Sequence, residues 1–169
     1  MCSKPKSPCL TQVFNSVIST GIIPSDWKNA RVTPIFKADS KVDPPNYRPI
    51  SVLSVIAKLF EKAIFNQVYK YLDENNLLSK FQSGFRPLHS TLTALIDMTD
   101  TWYLTTDNGL TNAVLFIELK KAFDTIDHDI LLAKLELYGL RGTTLDLFRN
   151  YLSDRTQVTV LDNVQSEIN

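Results

Sequence analysis

Apolar positions recur along this chain with helical spacing in some stretches and strand-like alternation in others. Leu10, Val13, Phe14, Val17 and Ile18 fall on one helical face, and Gly21 stops the helix. Arg31 to Lys37 is expected as a short extended segment, with Pro34 at an edge or irregular position because proline has no amide to give a ladder. Ala38 to Pro49 is polar and proline-bearing, and is expected as a loop. Ser54 to Leu72 is a strong amphipathic helix, with Ile56, Leu59, Phe60, Ala63, Phe65, Val68 and Tyr71 on its buried side and Asn75-Asn76 at its end. Phe81 to His89, with Gly84 and Pro87, is a loop. Ser90 then caps a helix to about Tyr103, with Leu92, Leu95, Ile96 and Trp102 inward.

Asn108-Gly109 is a turn signal, and Ala113 to Leu119 follows as an apolar run of strand length. A helix from about Asp127 to Tyr138 ends at Gly139, and another starts near Thr143-Thr144 and carries Leu145, Phe148, Tyr151 and Leu152. Thr156 to Leu161 alternates like a strand, and Asp162-Asn163 is a hairpin turn signal. No repeat or low-complexity segment interrupts the pattern. The last residue, Asn169, follows soon after that turn, as expected of a truncated domain.

Composition narrows the class. The 169 residues are 44% apolar, enough for one globular domain with a real core. The formal net charge is zero, which argues against a free-standing basic nucleic-acid binder. A local excess exists from Asp26 to Lys62, where Lys28, Arg31, Lys37, Lys41, Arg48, Lys58 and Lys62 face Asp26, Asp39, Asp43 and Glu61. A solvated surface is the commoner meaning of so modest an excess. Cys2 and Cys9 build neither a disulfide framework nor a zinc-ligand spacing. The first twenty residues do not form a signal peptide, and no apolar run approaches a membrane span, so an intracellular location is expected.

The richest chemistry lies in Ala113-Val-Leu-Phe-Ile-Glu-Leu-Lys-Lys-Ala-Phe-Asp-Thr-Ile-Asp-His128. An apolar run ends on Glu118, and a carboxylate at the tip of a buried strand is costly unless a cation compensates it. Phe123, five residues on, can wall the same pocket. Asp127 is expected to cap the following helix, with His128 a surface or capping histidine. Trp27 and Trp102 are expected in the core.

Six stretches in order resemble the reverse transcriptases of non-LTR retrotransposons, the jockey-like group. They are Ile23 to Lys28, Arg31 to Lys37, Asn46 to Ser51, Lys58 to Lys62, Gln82 to Arg86 with Ser90-Thr91, and Phe116 to His128. The resemblance runs from about Pro8 to the C-terminus. It implies an α+β fold, a partial polymerase right hand of fingers and first part of the palm, mostly helical with a few short strands. Residues 1–20 would form an upstream helix, and 21–169 a partial reverse transcriptase domain cut before the Tyr-X-Asp-Asp motif. The family's Gln-Gly stretch is missing, and no Asp-Asp pair occurs anywhere in the sequence.

The resemblance also implies roles. Family members add deoxynucleotides (dNTPs) to a DNA primer on an RNA template. Two divalent ions, Mg²⁺ in an intact member, clamp the attacking and leaving oxygens. Glu118 stands where the family usually carries Asp and is a degenerate metal-ligand position. Its extra methylene displaces the carboxylate by ~1 Å, which can cost ~10²-fold in rate. For this chain by itself a solvated carboxylate is the simpler state, since the partner ligands are absent. Lys37 and Arg48 match residues that hold the incoming triphosphate, for which a cation and a bidentate guanidinium are suited. Phe123 matches the aromatic gate that crowds a ribose 2′-hydroxyl. Arg86 lies near template or nucleotide, or is a snorkelling arginine in a turn. The expected function is thus that of a partial RNA-directed DNA polymerase domain, inactive as it stands. A non-catalytic nucleic-acid-binding module and a decayed element product are the alternatives.

Overall fold

The computed structural model describes residues 8–161 and 164–167. Cys2 and the expected Asp162-Asn163 turn lie outside them. The architecture is mixed α/β and divides into two compact units, one built from residues up to Tyr69 together with Asp127 onward, the other from Lys70–Ile126.

The first unit contains α1 (Pro8–Thr20), α2 (Ser25–Lys28), β1 (Asn29–Phe36), β2 (Tyr47–Val52) and most of α3 (Val55–Glu74). It also contains the helices labelled here α5 (His128–Leu137) and α6 (Thr143–Leu152), then β3 (Thr156–Leu161) and β4 (Val164–Gln165). Its core joins Val17 of α1, Ile23, Phe60 of α3 and Leu147 of α6, with Phe14, Ile18, Trp27, Ile64 and Tyr151 packed against them. Phe14, Trp27 and Phe60 meet pairwise with ring centroids 5.3–5.8 Å apart, the spacing of favourable edge and tilted aromatic contacts. Gly21 makes the junction possible. Its φ of +69° suits a residue without a Cβ, and a Cβ there would stand 3.3 Å from the Thr143 carbonyl oxygen. The Ile23 amide, two residues on, donates to Asn150 Oδ1 at 2.8 Å and ties this turn to α6.

The four strands run in the order β2-β1-β3-β4, with β1 antiparallel to β2 and parallel to β3. The expected Ala38 to Pro49 loop is therefore too long: Pro44–Asn46 forms a 3₁₀ turn, and β2 begins at Tyr47. The prolines explain how a strand survives there. Pro34 is directly opposite Pro49. Neither has an amide, so the pair falls on a rung that exchanges no hydrogen bonds, and each ring turns its nitrogen away from the partner. β3 pairs with β1 over Asn29 to Val32, so Pro34 lies where that side of β1 has no β3 partner, as its chemistry requires.

Ser54 starts α3, its hydroxyl accepting from the Ala57 amide at 3.2 Å. The buried stripe differs from the expected one. Ala57 and Phe60 are buried, whereas Ile56, Leu59, Phe65 and Tyr71 are exposed. Apolar residues surround much of this helix, so two stripes compete. The aromatic contacts of Phe60 with Phe14 and Trp27 accompany the stripe that wins.

The second unit holds the last turn of α3, a loop, α4 (Thr91–Asp107) and the segment to Ile126. Asn76 ends α3 at φ +53°, where the Leu77 amide reaches back to the Leu72 carbonyl at 2.9 Å. Ser90 caps α4 in a reciprocal box with Thr93. Of the inward face expected for α4, Leu92, Leu95 and Ile96 are exposed, and Trp102 is half-buried. None of the buried hydrophobic residues lies between Lys70 and Ile126.

The expected Ala113 to Leu119 strand is also corrected. These residues form no regular element, and Leu115 and Ile117 are 82% and 76% exposed. A strand exists through its ladder, and no described segment pairs with this one.

Candidate functional site

The β1–β2 hairpin presents two faces. On one, Ala30 and Val32 are buried, and on the other Arg31, Thr33 and Ile35 are exposed. Arg31 pairs with Val52, Thr33 with Ile50 and Ile35 with Arg48. One rung further, the Lys37 amide donates to the Asn46 carbonyl at 2.9 Å. Side chains alternate along a strand, so Arg31, Lys37 and Arg48 belong to the same exposed face. Lys37 and Arg48 are diagonal neighbours there, a relation that sets residues about 7–8 Å apart. Phe36 and Tyr47 stack obliquely on the opposite face at 5.5 Å, and the Tyr47 hydroxyl donates to the Lys41 carbonyl at 2.8 Å, fixing the tip. Among the described residues no acid pairs with Arg31, Lys37 or Arg48. Arg31 was not singled out from sequence, although its spacing of six from Lys37 on a strand was enough to place it on the same face.

Arg86, Glu118 and Phe123 belong to the second unit. Arg86 is committed locally. Its Nη1 donates to the Ser79 carbonyl at 3.1 Å, and its Nη2 meets Asp73 Oδ1 at 3.3 Å, while Nε is buried without a partner. Those bonds hold a loop in which Phe85 and Leu88 have φ of +61° and +63°, a costly conformation for bulky residues. The Phe85 ring meets Phe123 edge-on at 6.0 Å, and both rings are largely exposed. Glu118 is exposed within the unpaired segment. It is therefore not the compensated carboxylate of a buried strand tip. Asp127 caps α5 as expected, Oδ1 accepting from the Asp129 and Ile130 amides at 2.9 and 3.0 Å.

In the first unit, the Tyr151 hydroxyl of α6 donates to Glu61 Oε1 of α3 at 2.6 Å. The Arg155 guanidinium lies 4.7 Å over the same ring and donates to the Tyr151 carbonyl at 3.0 Å. Burial first, then the bond to Glu61, push the Tyr151 hydroxyl from its ordinary 10.0 to about 12.

The family model described as "Reverse transcriptase (RNA-dependent DNA polymerase)" matches residues 35–168. The chain belongs to the reverse transcriptase family. The matched stretch contains Lys37, Arg48, Arg86, Glu118 and Phe123, and starts after Arg31. Among similar proteins, the probable RNA-directed DNA polymerase from transposon BS of Drosophila melanogaster is 31% identical over 147 residues, 86% of this chain and 16% of that protein. The RNA-directed DNA polymerase from mobile element jockey, also of Drosophila melanogaster, is 30% identical over 160 residues, 94% of this chain and 17% of that protein. The retrovirus-related Pol polyprotein from type-1 retrotransposable element R2 of Popillia japonica is 26% identical over 137 residues, 80% of this chain and 19% of that protein. The chain thus spans about a sixth of the length of the curated relatives it matches.

Reverse transcriptases use divalent metal ions, which need several carboxylate oxygens converging on one point. Among the described residues no group of three or more His, Cys, Asp or Glu side chains is arranged to hold one. Glu118 and its neighbours therefore do not fit a metal centre by themselves. No described helix is long and apolar enough to cross a membrane.

Proposed function

We propose that this chain is the nucleotide-holding part of a retrotransposon reverse transcriptase, comprising the fingers and the first part of the palm over residues 21–169, with α1 ahead of them. Lys37 and Arg48 grip the triphosphate of the incoming dNTP. The observation that carries this is the hairpin register, which makes a lysine and an arginine unpaired neighbours on one exposed face. A point charge beside a planar fork suits a polyanion, and each charge-assisted bond contributes about 1.5–3 kcal/mol. Phe123 acts as the sugar gate. Arg86 holds the Phe81 to His89 loop of its own unit, whose Phe85 meets Phe123, since its Nη groups are engaged by the Ser79 carbonyl and Asp73. Glu118 matches the position of a Mg²⁺ ligand but supplies no catalytic step by itself, because the described carboxylates do not converge. The reaction of the whole enzyme is RNA-templated addition of dNTPs to a DNA primer, and this polypeptide by itself does not perform it.

Two measurements test the proposal. Calorimetric titration with dTTP and Mg²⁺ should show K37Q and R48Q each weakening binding by about 10-fold or more, and unchanged affinity in both would overturn the triphosphate assignment. Primer extension by the isolated chain with Mg²⁺ or Mn²⁺ should give no product above background, and clear incorporation would reject its inactivity.

A further inference from the structure

The junction between α6 and β3 leaves a cation at a cleft with no acid to meet it. Asp154, at φ +52°, turns the chain out of α6, and Arg155 follows one residue before β3. There it folds back over the helix end. Its guanidinium lies 4.7 Å over the Tyr151 ring, and Nη1 donates to the Tyr151 carbonyl at 3.0 Å. Those contacts fix the fork and leave N–H groups to spare, since arginine has five. Among the described residues Arg155 forms no ion pair, not even with adjacent Asp154, and the Glu61 carboxylate of this seam accepts the Tyr151 hydroxyl at 2.6 Å. The same arginine lines a cleft of about 410 Å³ with Ala30, Ser51, Leu53, Thr156 and Gln157. The sheet register gathers these residues: Asn29 pairs with Thr156, Ala30 with Gln157 and Val32 with Ser51. The cleft therefore has a held guanidinium, two hydroxyls and a carboxamide beside an apolar floor, and no described carboxylate lines it. Lys28, which precedes Asn29 as Arg155 precedes Thr156, is buried and likewise has no acidic partner among the described residues. This end of the sheet thus carries two uncompensated cations.

We infer that this cleft binds a small phosphate-bearing ligand, whose phosphate meets the Arg155 fork and the hydroxyls of Ser51 and Thr156. A planar guanidinium matches two phosphate oxygens at once, and hydroxyls donate to the others. The volume falls within the range of small-ligand sites. The site is separate from the pair proposed to grip the triphosphate. Ser51 pairs with Val32, whereas Arg48 pairs with Ile35, so Ser51 belongs to the face of the hairpin opposite Lys37 and Arg48.

The test is an amide NMR titration of the whole isotope-labelled chain with inorganic phosphate, with chloride adjusted to hold the ionic strength fixed. The amides of Ser51, Thr156 and Gln157 should shift saturably, with a Kd of about 1 mM or below. Ser51→Asp sets a carboxylate against the fork and leaves Arg155 itself in place, so it should weaken phosphate binding by about 10-fold or more. Ser51→Asn is neutral and keeps a donor, and should stay within about 2-fold of the parent. Arg155→Lys keeps the charge but loses the fork, and should weaken binding by about 5-fold. K37Q should bind phosphate as the parent does. A second titration with uridine monophosphate separates the sources: tighter binding than phosphate assigns the site to a nucleoside monophosphate, and equal affinity assigns it to free phosphate. No saturable shift up to about 20 mM phosphate would overturn the inference. So would shifts that bypass these three amides, phosphate binding by Ser51→Asp equal to the parent's, or a loss in K37Q, which would put the anion at the hairpin tip instead.

Discussion

Replacing Tyr151 by phenylalanine removes one oxygen atom from the seam between α3 and α6 and leaves the ring, and with it the Arg155 cation–π contact, in place. The lost bond is short, 2.6 Å, and its acceptor is the carboxylate of Glu61. Hydrogen bonds to charged groups contribute about 1.5–3 kcal/mol. The hydroxyl's titration gives a ceiling that burial, the larger cause, shares with the bond to Glu61. Raising it from 10.0 to about 12 corresponds to at most ~2.7 kcal/mol favouring the protonated native state. The side chain is half-buried, so solvent screening reduces both figures, and about 1–2 kcal/mol is expected at pH 7. With a urea slope of ~2 kcal/mol per molar, the midpoint followed by circular dichroism should fall by about 0.5–1 M.

The pH dependence carries a definite sign. Below pH 10 the hydroxyl is protonated in both folded and unfolded chains, and the full stabilisation is present. Between pH 10 and about 12 the unfolded chain loses its proton first, so the parent protein loses stability that the Y151F variant never had. The gap between the two should therefore narrow across that window, with all other titrating groups cancelling in the difference. A gap that stays constant from pH 8 to 12, or one below about 0.3 kcal/mol at pH 7, would refute the assignment of this bond.

Phe60→Ala empties the centre of the aromatic trio and should cost about 3–5 kcal/mol, read from the denaturant midpoint; a cost under about 1 kcal/mol would mean that the trio does not hold α1 to α3. Asp127→Ala removes the acceptor for two α5 amides and should lower stability by about 1 kcal/mol, with Asp127→Asn restoring most of it. Arg86→Ala frees the Ser79 carbonyl and Asp73, and amides from Ser79 to His89 should exchange about 5-fold faster, the equivalent of ~1 kcal/mol for partly exposed bonds. Unchanged exchange in that loop would show that the contacts do not restrain it.

The sequence by itself determined what depends on neighbours along the chain. Helix periodicity placed α1, α3, α4, α5 and α6 to within a few residues. Ser90 and Asp127 announced their caps, and Gly21 and Asn76 marked the stops, because each of these signals acts within one helical turn. The family follows from motif order, and the same motifs nominate Lys37, Arg48, Arg86, Glu118 and Phe123 for the proposed roles. What the tertiary structure decided is which side of each element meets a partner. Ala57 and Phe60 were chosen over Leu59 and Phe65 by what packs against α3, since a helix apolar on several faces does not state which one it will bury. β2 emerged from an apparent loop because two prolines could share a rung that needs no amides. Ala113 to Leu119 has a strand's composition but no ladder among the described residues, since its hydrogen bonds require a second segment that local sequence cannot supply. Periodicity resides in one stretch of chain, whereas burial and pairing belong to two, and that is the physical reason the helices are legible in the letters while only the fold decides which stretches pair as strands and which faces are buried.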